Sequence, residues 1–151
     1  MPDAEARVDS FLRSYRMAFE HLDPANIAGH FVYPAHVTSD AEEISLTPVS
    51  TNAQWLPQLE SLVAQYRAIG FRSARIMETN TIELSPRLLQ TNVRWELLDD
   101  AGAPLYAFDV SYTLVEVQRE LRIAALAHNE LPRLRACLGQ RSSRRAGKDS
   151  V

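Results

Sequence analysis

Pro104-Leu-Tyr-Ala-Phe-Asp-Val-Ser-Tyr-Thr-Leu-Val-Glu-Val117, a short turn, and Leu121-Arg-Ile-Ala-Ala-Leu-Ala-His128 decide the fold. In the first segment Tyr106, Phe108, Val110, Tyr112 and Leu114 share one parity, and Ala107, Asp109, Ser111 and Thr113 the other. Strand side chains alternate between faces, so one face of this strand is built for a core. Upstream, Leu88 to Leu98 alternates too and joins it through Asp99-Asp100-Ala101-Gly102, residues that supply turn conformations cheaply. The three segments predict an antiparallel meander closing the fold.

Working outward, Asp3 is placed to cap a helix in which Val8, Phe11, Leu12, Tyr15, Ala18, Phe19 and Leu22 follow three-and-four spacing. Asp23-Pro24 opens a short second helix, with proline at a position whose N–H is not needed. Phe31 to Thr38 alternates as a strand, and Pro34, lacking a donor, marks an edge or a bulge. Residues 39–42 read as a turn before a short strand, Glu43 to Val49. Thr51 to Gln54 resembles a capping box for a helix ending before Gly70, with Pro57 implying an irregular first turn or a start near Trp55. Phe71 to Leu84 reads as a long, bulged strand with Ala74, Ile76, Ile82 and Leu84 on one face. After His128 a short helix to Leu138 is expected, then a disordered basic tail over 139–151. The reading is one domain over 1–138, of α+β class, with helices on one face of a mostly antiparallel sheet.

At 151 residues there is room for one core and not two. A hydrophobic content of 46%, without an apolar run near the ~18 residues of a membrane span, predicts a soluble globular protein that is not inserted in a membrane. Net charge is −3, which offers no general attraction to nucleic acid. No secretory leader pattern opens the chain, and a single cysteine, Cys137, forms no internal disulfide, so a cytoplasmic setting is expected.

The element order, with Phe31-Val-Tyr-Pro-Ala, Tyr66-Arg-Ala-Ile-Gly-Phe, Val93-Arg-Trp, Tyr112-Thr-Leu-Val and Leu121-Arg-Ile, resembles the nuclear transport factor 2-like superfamily over roughly Ala4 to His128. Its members include ketosteroid isomerases, polyketide cyclases, scytalone dehydratase and many small bacterial proteins. The resemblance implies a strongly curved sheet wrapped around a long N-terminal helix, an apolar pocket at one end, and a homodimer through the outer face of the sheet. It also places Tyr15 where the isomerases carry a hydrogen-bond-donating tyrosine. Ser39 falls where they carry an aspartate base, with Asp40 one residue later, and Asp109 or Ser111 falls near their second acid. Fold alone does not fix an activity here.

From the residues, the expected pocket is lined by Tyr15, Phe19, Phe31, Tyr33, Trp55, Leu59 and Tyr112, a set suited to a small apolar ligand. If that ligand is transformed, proton transfer of isomerase, dehydratase or cyclase type is expected, with Tyr15 as donor and His36 or Asp40 as base, histidine because it titrates near neutrality. The other reading is a non-catalytic dimeric interaction module with a filled cone. His21, His30 and His128 read as structural, and no histidine or cysteine falls at metal-ligand spacing, so neither metal nor cofactor is implied. Arg94, with Gln90, Asn92 and Glu96, reads as facing solvent or a second subunit. If that face is instead the interior, Arg94 becomes a carboxylate anchor.

Overall fold

The computed structural model describes the backbone of residues 3–149 and side chains as far as Arg141. Asp3 accepts a hydrogen bond from the Ala6 N–H at 2.7 Å and starts α1 (Ala4–Glu20), whose apolar stripe buries Val8, Phe11, Leu12, Tyr15 and Ala18. Asp23 caps α2 (Pro24–Ala28) in the same way. β1 (Phe31–Ala41) and β2 (Glu43–Val49) form a hairpin whose connection is Glu42 alone, with φ at +75°. The four-residue turn expected at 39–42 is therefore strand as far as Ala41, since Ser39, Asp40 and Ala41 pair with Ser45, Ile44 and Glu43.

Thr51 starts α3 (Asn52–Ala68) by accepting from the Gln54 N–H at 3.2 Å, while the Gln54 side chain reaches back to the Ser50 N–H at 2.8 Å. This cap holds the first turn, so the helix begins at Asn52 and carries Pro57 inside it instead of starting late. Gly70, at φ +80°, turns the chain from α3 into β3 (Phe71–Ser85), a conformation that costs other residues a clash at Cβ.

The strands β3, β4 (Leu88–Asp99), β5 (Pro104–Val117) and β6 (Glu120–His128) form a continuous antiparallel meander. β6 then pairs with β1 in parallel, giving a six-stranded, curved and unclosed sheet in the order β2-β1-β6-β5-β4-β3. β1 is thus an interior strand, and Pro34 is accommodated by a shift in register between Phe31 and His36. The β5–β6 turn is Gln118-Arg119, both at positive φ as a two-residue type I′ turn requires.

The aromatic face of β5 is the inner one: Phe108, Val110, Tyr112 and Leu114 are buried together with Leu89, Thr91, Val93, Trp95 and Leu97 of β4. The inner face meets α1 and α3, whose Leu12, Leu59 and Val63 lie in the same core. β3 departs from the expected parity. A bulge between Ile76 and Glu78 moves the register by one, so Ala74 and Ile76 point inward while Ile82, opposite Gln90, points outward and is 54% exposed.

Helix α4 (Leu131–Asp149) continues past Leu138, where it was expected to end, so the backbone over 139–149 is helical and not a structureless tail. Leu134 and Cys137 anchor its first turns in the core, and the Arg, Ala and Gln that follow are good helix formers. Residues 150–151, the end of that expected tail, lie outside the described residues. None of the helices among the described residues is long and apolar enough to cross a membrane.

Candidate functional site

Under the sheet, between α1, α3 and the inner faces of β3 to β6, lies a cavity of about 90 Å³. This is below the ~300 Å³ at the low end of small-molecule sites and roughly the room of three water molecules. Its wall is mostly apolar, with Phe19, Trp55, Leu59, Trp95 and Phe108 among the contributors. Of the expected lining, Tyr15, Phe19, Trp55, Leu59 and Tyr112 reach it. Phe31 and Tyr33 do not. Phe31 is core, packed edge-on against Trp55 at 5.5 Å, and the Tyr33 hydroxyl is spent on the Ala28 carbonyl at 2.8 Å.

The expected bases are elsewhere. His36 and Asp40 are exposed on β1, with parity opposite to the buried Val37 and Ser39. Asp40 borders a groove on the outer sheet face, together with Asn92, Arg94 and Asp109. Neither reaches Tyr15, because strand alternation sends them through the other side of the sheet. Ser39, buried on β1, does not line the cavity, although its β1 neighbour Val37 does. Arg94 belongs to that outer face too, where it pairs with Asp109 at 3.2 Å, so it is no interior carboxylate anchor.

The acid inside the cavity is Glu130, a residue that sequence reading left in the connection before α4. Its carboxylate oxygen Oε2 accepts from the Tyr66 hydroxyl, a very short contact, and from the Tyr106 hydroxyl at 2.8 Å. Three elements build this clamp: Tyr66 ends α3, Tyr106 opens β5, and Glu130 prolongs the inward parity of Leu126 and His128 beyond β6. Glu130 also fills the N-cap position of α4, where its carbonyl accepts from Arg133 and Leu134, while its own N–H goes to His128 Nδ1 at 3.2 Å. The signal that could have found it is period two carried two residues past the strand end.

Burial pushes the Glu130 carboxyl up from 4.5 to about 7, against the opposing pull of the Tyr66 and Tyr106 hydrogen bonds. An acid of that strength is close to half ionised at neutrality, so it can both give and take a proton. Burial, with the Glu130 charge nearby, raises Tyr66 and Tyr106. Tyr15 is raised well above 10 by burial and then by Tyr112, so it stays protonated and can serve only as a hydrogen-bond donor or acceptor. His128 is lowered by burial and accepts at Nδ1, as a neutral ring. His30 is structural. Its Nδ1–H donates to the Asn26 carbonyl at 2.7 Å, leaving Nε2 to accept from Ser14 at 2.8 Å, and burial lowers its pKa. Three or more His, Cys, Asp or Glu side chains do not cluster at metal-binding distance among the described residues.

Comparison with known proteins agrees with this architecture. Solved structures with the same fold include Aln2 from a Streptomyces species, 18% identical, covering 85% of this chain and 93% of that one with a TM-score of 0.67. An NTF-2 like protein of unknown function from Shewanella oneidensis is 11% identical, covering 84% of this chain and 99% of that one, with a TM-score of 0.65. A putative calcium/calmodulin dependent protein kinase II association domain from Xanthomonas campestris is 13% identical, covering 86% and 90% respectively, at a TM-score of 0.63. At these identities the likeness establishes the fold alone. No curated protein matches the sequence. A family model described as NTF2-like protein (DUF6841) matches residues 4–130, from the start of α1 through the clamped carboxyl. The chain therefore belongs to this NTF2-like family.

Proposed function

We propose that the protein binds a small, largely apolar molecule in the cavity beneath its sheet, and that Glu130 moves a proton to or from it. The observation that carries this reading is a carboxyl held by two tyrosine hydroxyls, sealed in an apolar wall and poised at about 7. Perturbed acids of this kind in concave sites are the usual mark of general acid–base work. Tyr15, also in the wall and kept protonated, is a further hydrogen-bond donor there. The volume of about 90 Å³ limits the ligand to a handful of non-hydrogen atoms unless Trp55 or Leu62 swings aside. A free, buried Cys137 suits the cytoplasmic setting proposed from the sequence.

The test is exchange of α-hydrogens of a small ketone, 2-butanone, for deuterium in D2O, followed by proton NMR. The expected result is exchange above buffer with the wild type, rising as Glu130 ionises through about pH 7 and levelling off above it, and lost in Glu130→Gln. Exchange equal in both proteins would remove the proton-transfer role. No binding of any small apolar compound would remove the ligand as well.

A second reading rests on the other face of the sheet. Ile44 and Leu46 on β2, and Ile82 on β3, project outward and are 54–65% exposed, flanking a polar groove that crosses the middle strands. Large apolar side chains left in water at both margins of one face favour a partner, and a second copy presenting the same margins is the occupant we propose. Light scattering should then give a dimer mass that Leu46→Asp reduces to a monomer. A monomeric wild type at micromolar concentration would end this reading and leave the first untouched.

A further inference from the structure

Two N–H groups in the cavity wall have nothing to bond. Among the described residues, the buried side-chain polar atoms without a hydrogen-bond partner are Arg16 Nε and Trp55 Nε1. Both residues line the cavity that holds Glu130. The second tryptophan is the contrast: Trp95 also lines the cavity, but its Nε1–H donates to the Tyr112 hydroxyl at 2.9 Å. Buried polar groups are nearly always paired, and one left unpaired loses its hydration without recompense. Two such groups bordering one cavity mark a place where a partner is meant to arrive.

The chemistry of the pair narrows that partner. An indole and a guanidinium are donors only, so what they can bind is an oxygen lone pair. Arg16 does not stand alone. The Glu20 carboxylate stands 3.9 Å from its Nε and is itself held by the Ala74 N–H at 3.0 Å. A donor pole beside a carboxylate favours a neutral carbonyl over a second carboxylate, which would meet Glu20 and lose its own hydration. Both donors and the acid border one small cavity.

We propose that the cavity selects small ketones or aldehydes, whose carbonyl oxygen accepts from Trp55 Nε1–H, with Arg16 Nε–H as the second donor. This rests on the reading of the cavity as a ligand site and names the ligand class. Trp55 is then a specificity-determining donor.

The test uses 15N-labelled full-length protein and two probes of one shape, 2-butanone and 2-methyl-1-butene, which differ in carrying C=O or C=CH2. The two indole N–H signals are assigned by Trp55→Phe and, should that variant not fold, by through-space contacts to Phe31 in the wild type. Butanone should move the Trp55 signal downfield and leave that of Trp95 in place, while the alkene binds without the downfield shift. Trp55→Phe should weaken butanone about fivefold more than it weakens the alkene, one hydrogen bond's worth. If butanone binds but the Trp55 signal stays, and Trp55→Phe binds it equally well, the carbonyl assignment is overturned while the ligand site stands. If neither probe binds, both fall.

Discussion

The two faces of this sheet carry the same kinds of residue and put them to different uses. On the outer face Arg94 and Asp109 meet at 3.2 Å with about half of each side chain in water, and His36 and Asp40 stand exposed on β1. On the inner face Glu130 is 6% exposed and bonded to two tyrosines. Water screens the outer charges, whereas its exclusion from the inner face lifts the Glu130 carboxyl to about 7. An acid becomes a candidate reagent here through the face it occupies more than through its residue type.

That contrast can be broken from either side. The largest effect belongs to the inner core: Leu12→Ala, at a fully buried site, should cost about 2–5 kcal/mol in urea unfolding. A cost under about 1 kcal/mol would mean that the helix is not seated as described. Next comes the pH dependence. A carboxyl raised from 4.5 to about 7 binds its proton more tightly folded than unfolded, so its contribution is full below about pH 4.5 and lost as pH rises through about 7. The wild type should therefore lose about 3 kcal/mol relative to Glu130→Gln between pH 4 and pH 8. Parallel stability curves would contradict the burial argument.

Smaller effects sharpen the outer side. A double-mutant cycle on Arg94→Ala and Asp109→Ala should give a coupling of at most about 1 kcal/mol, shrinking with added salt, as for exposed pairs in general. His36→Ala and Asp40→Ala should each shift stability by no more than about 0.5 kcal/mol and leave ketone exchange at its wild-type rate. A large loss of exchange in either would return the base to β1 and displace Glu130.

How much of this was legible in the chain follows from the same alternation. The parity of Tyr106 to Leu114 identified the inner face of β5, and the stripe from Val8 to Leu22 identified the helix beneath it, because both repeat over many residues. A one-residue bulge at Met77 was enough to reverse the expected side of Ile82, since period two carries no memory across an insertion. The expected base failed for a related reason. The resemblance put Ser39 at the isomerases' base position with Asp40 one residue later, but the face on which a strand residue lands depends on register, and Asp40 landed outside. Glu130 escaped notice because its partners, Tyr66 and Tyr106, lie 64 and 24 positions away, and only the closed fold brings the three together.

The central claim, that the carboxyl of Glu130 is sealed in the cavity and poised for proton transfer, is tested most directly by following its side-chain 13C carboxyl signal from pH 3 to pH 9. The account predicts a midpoint near 7 that moves when 2-butanone is added. A midpoint in the ordinary glutamate range, below about 5, would contradict it.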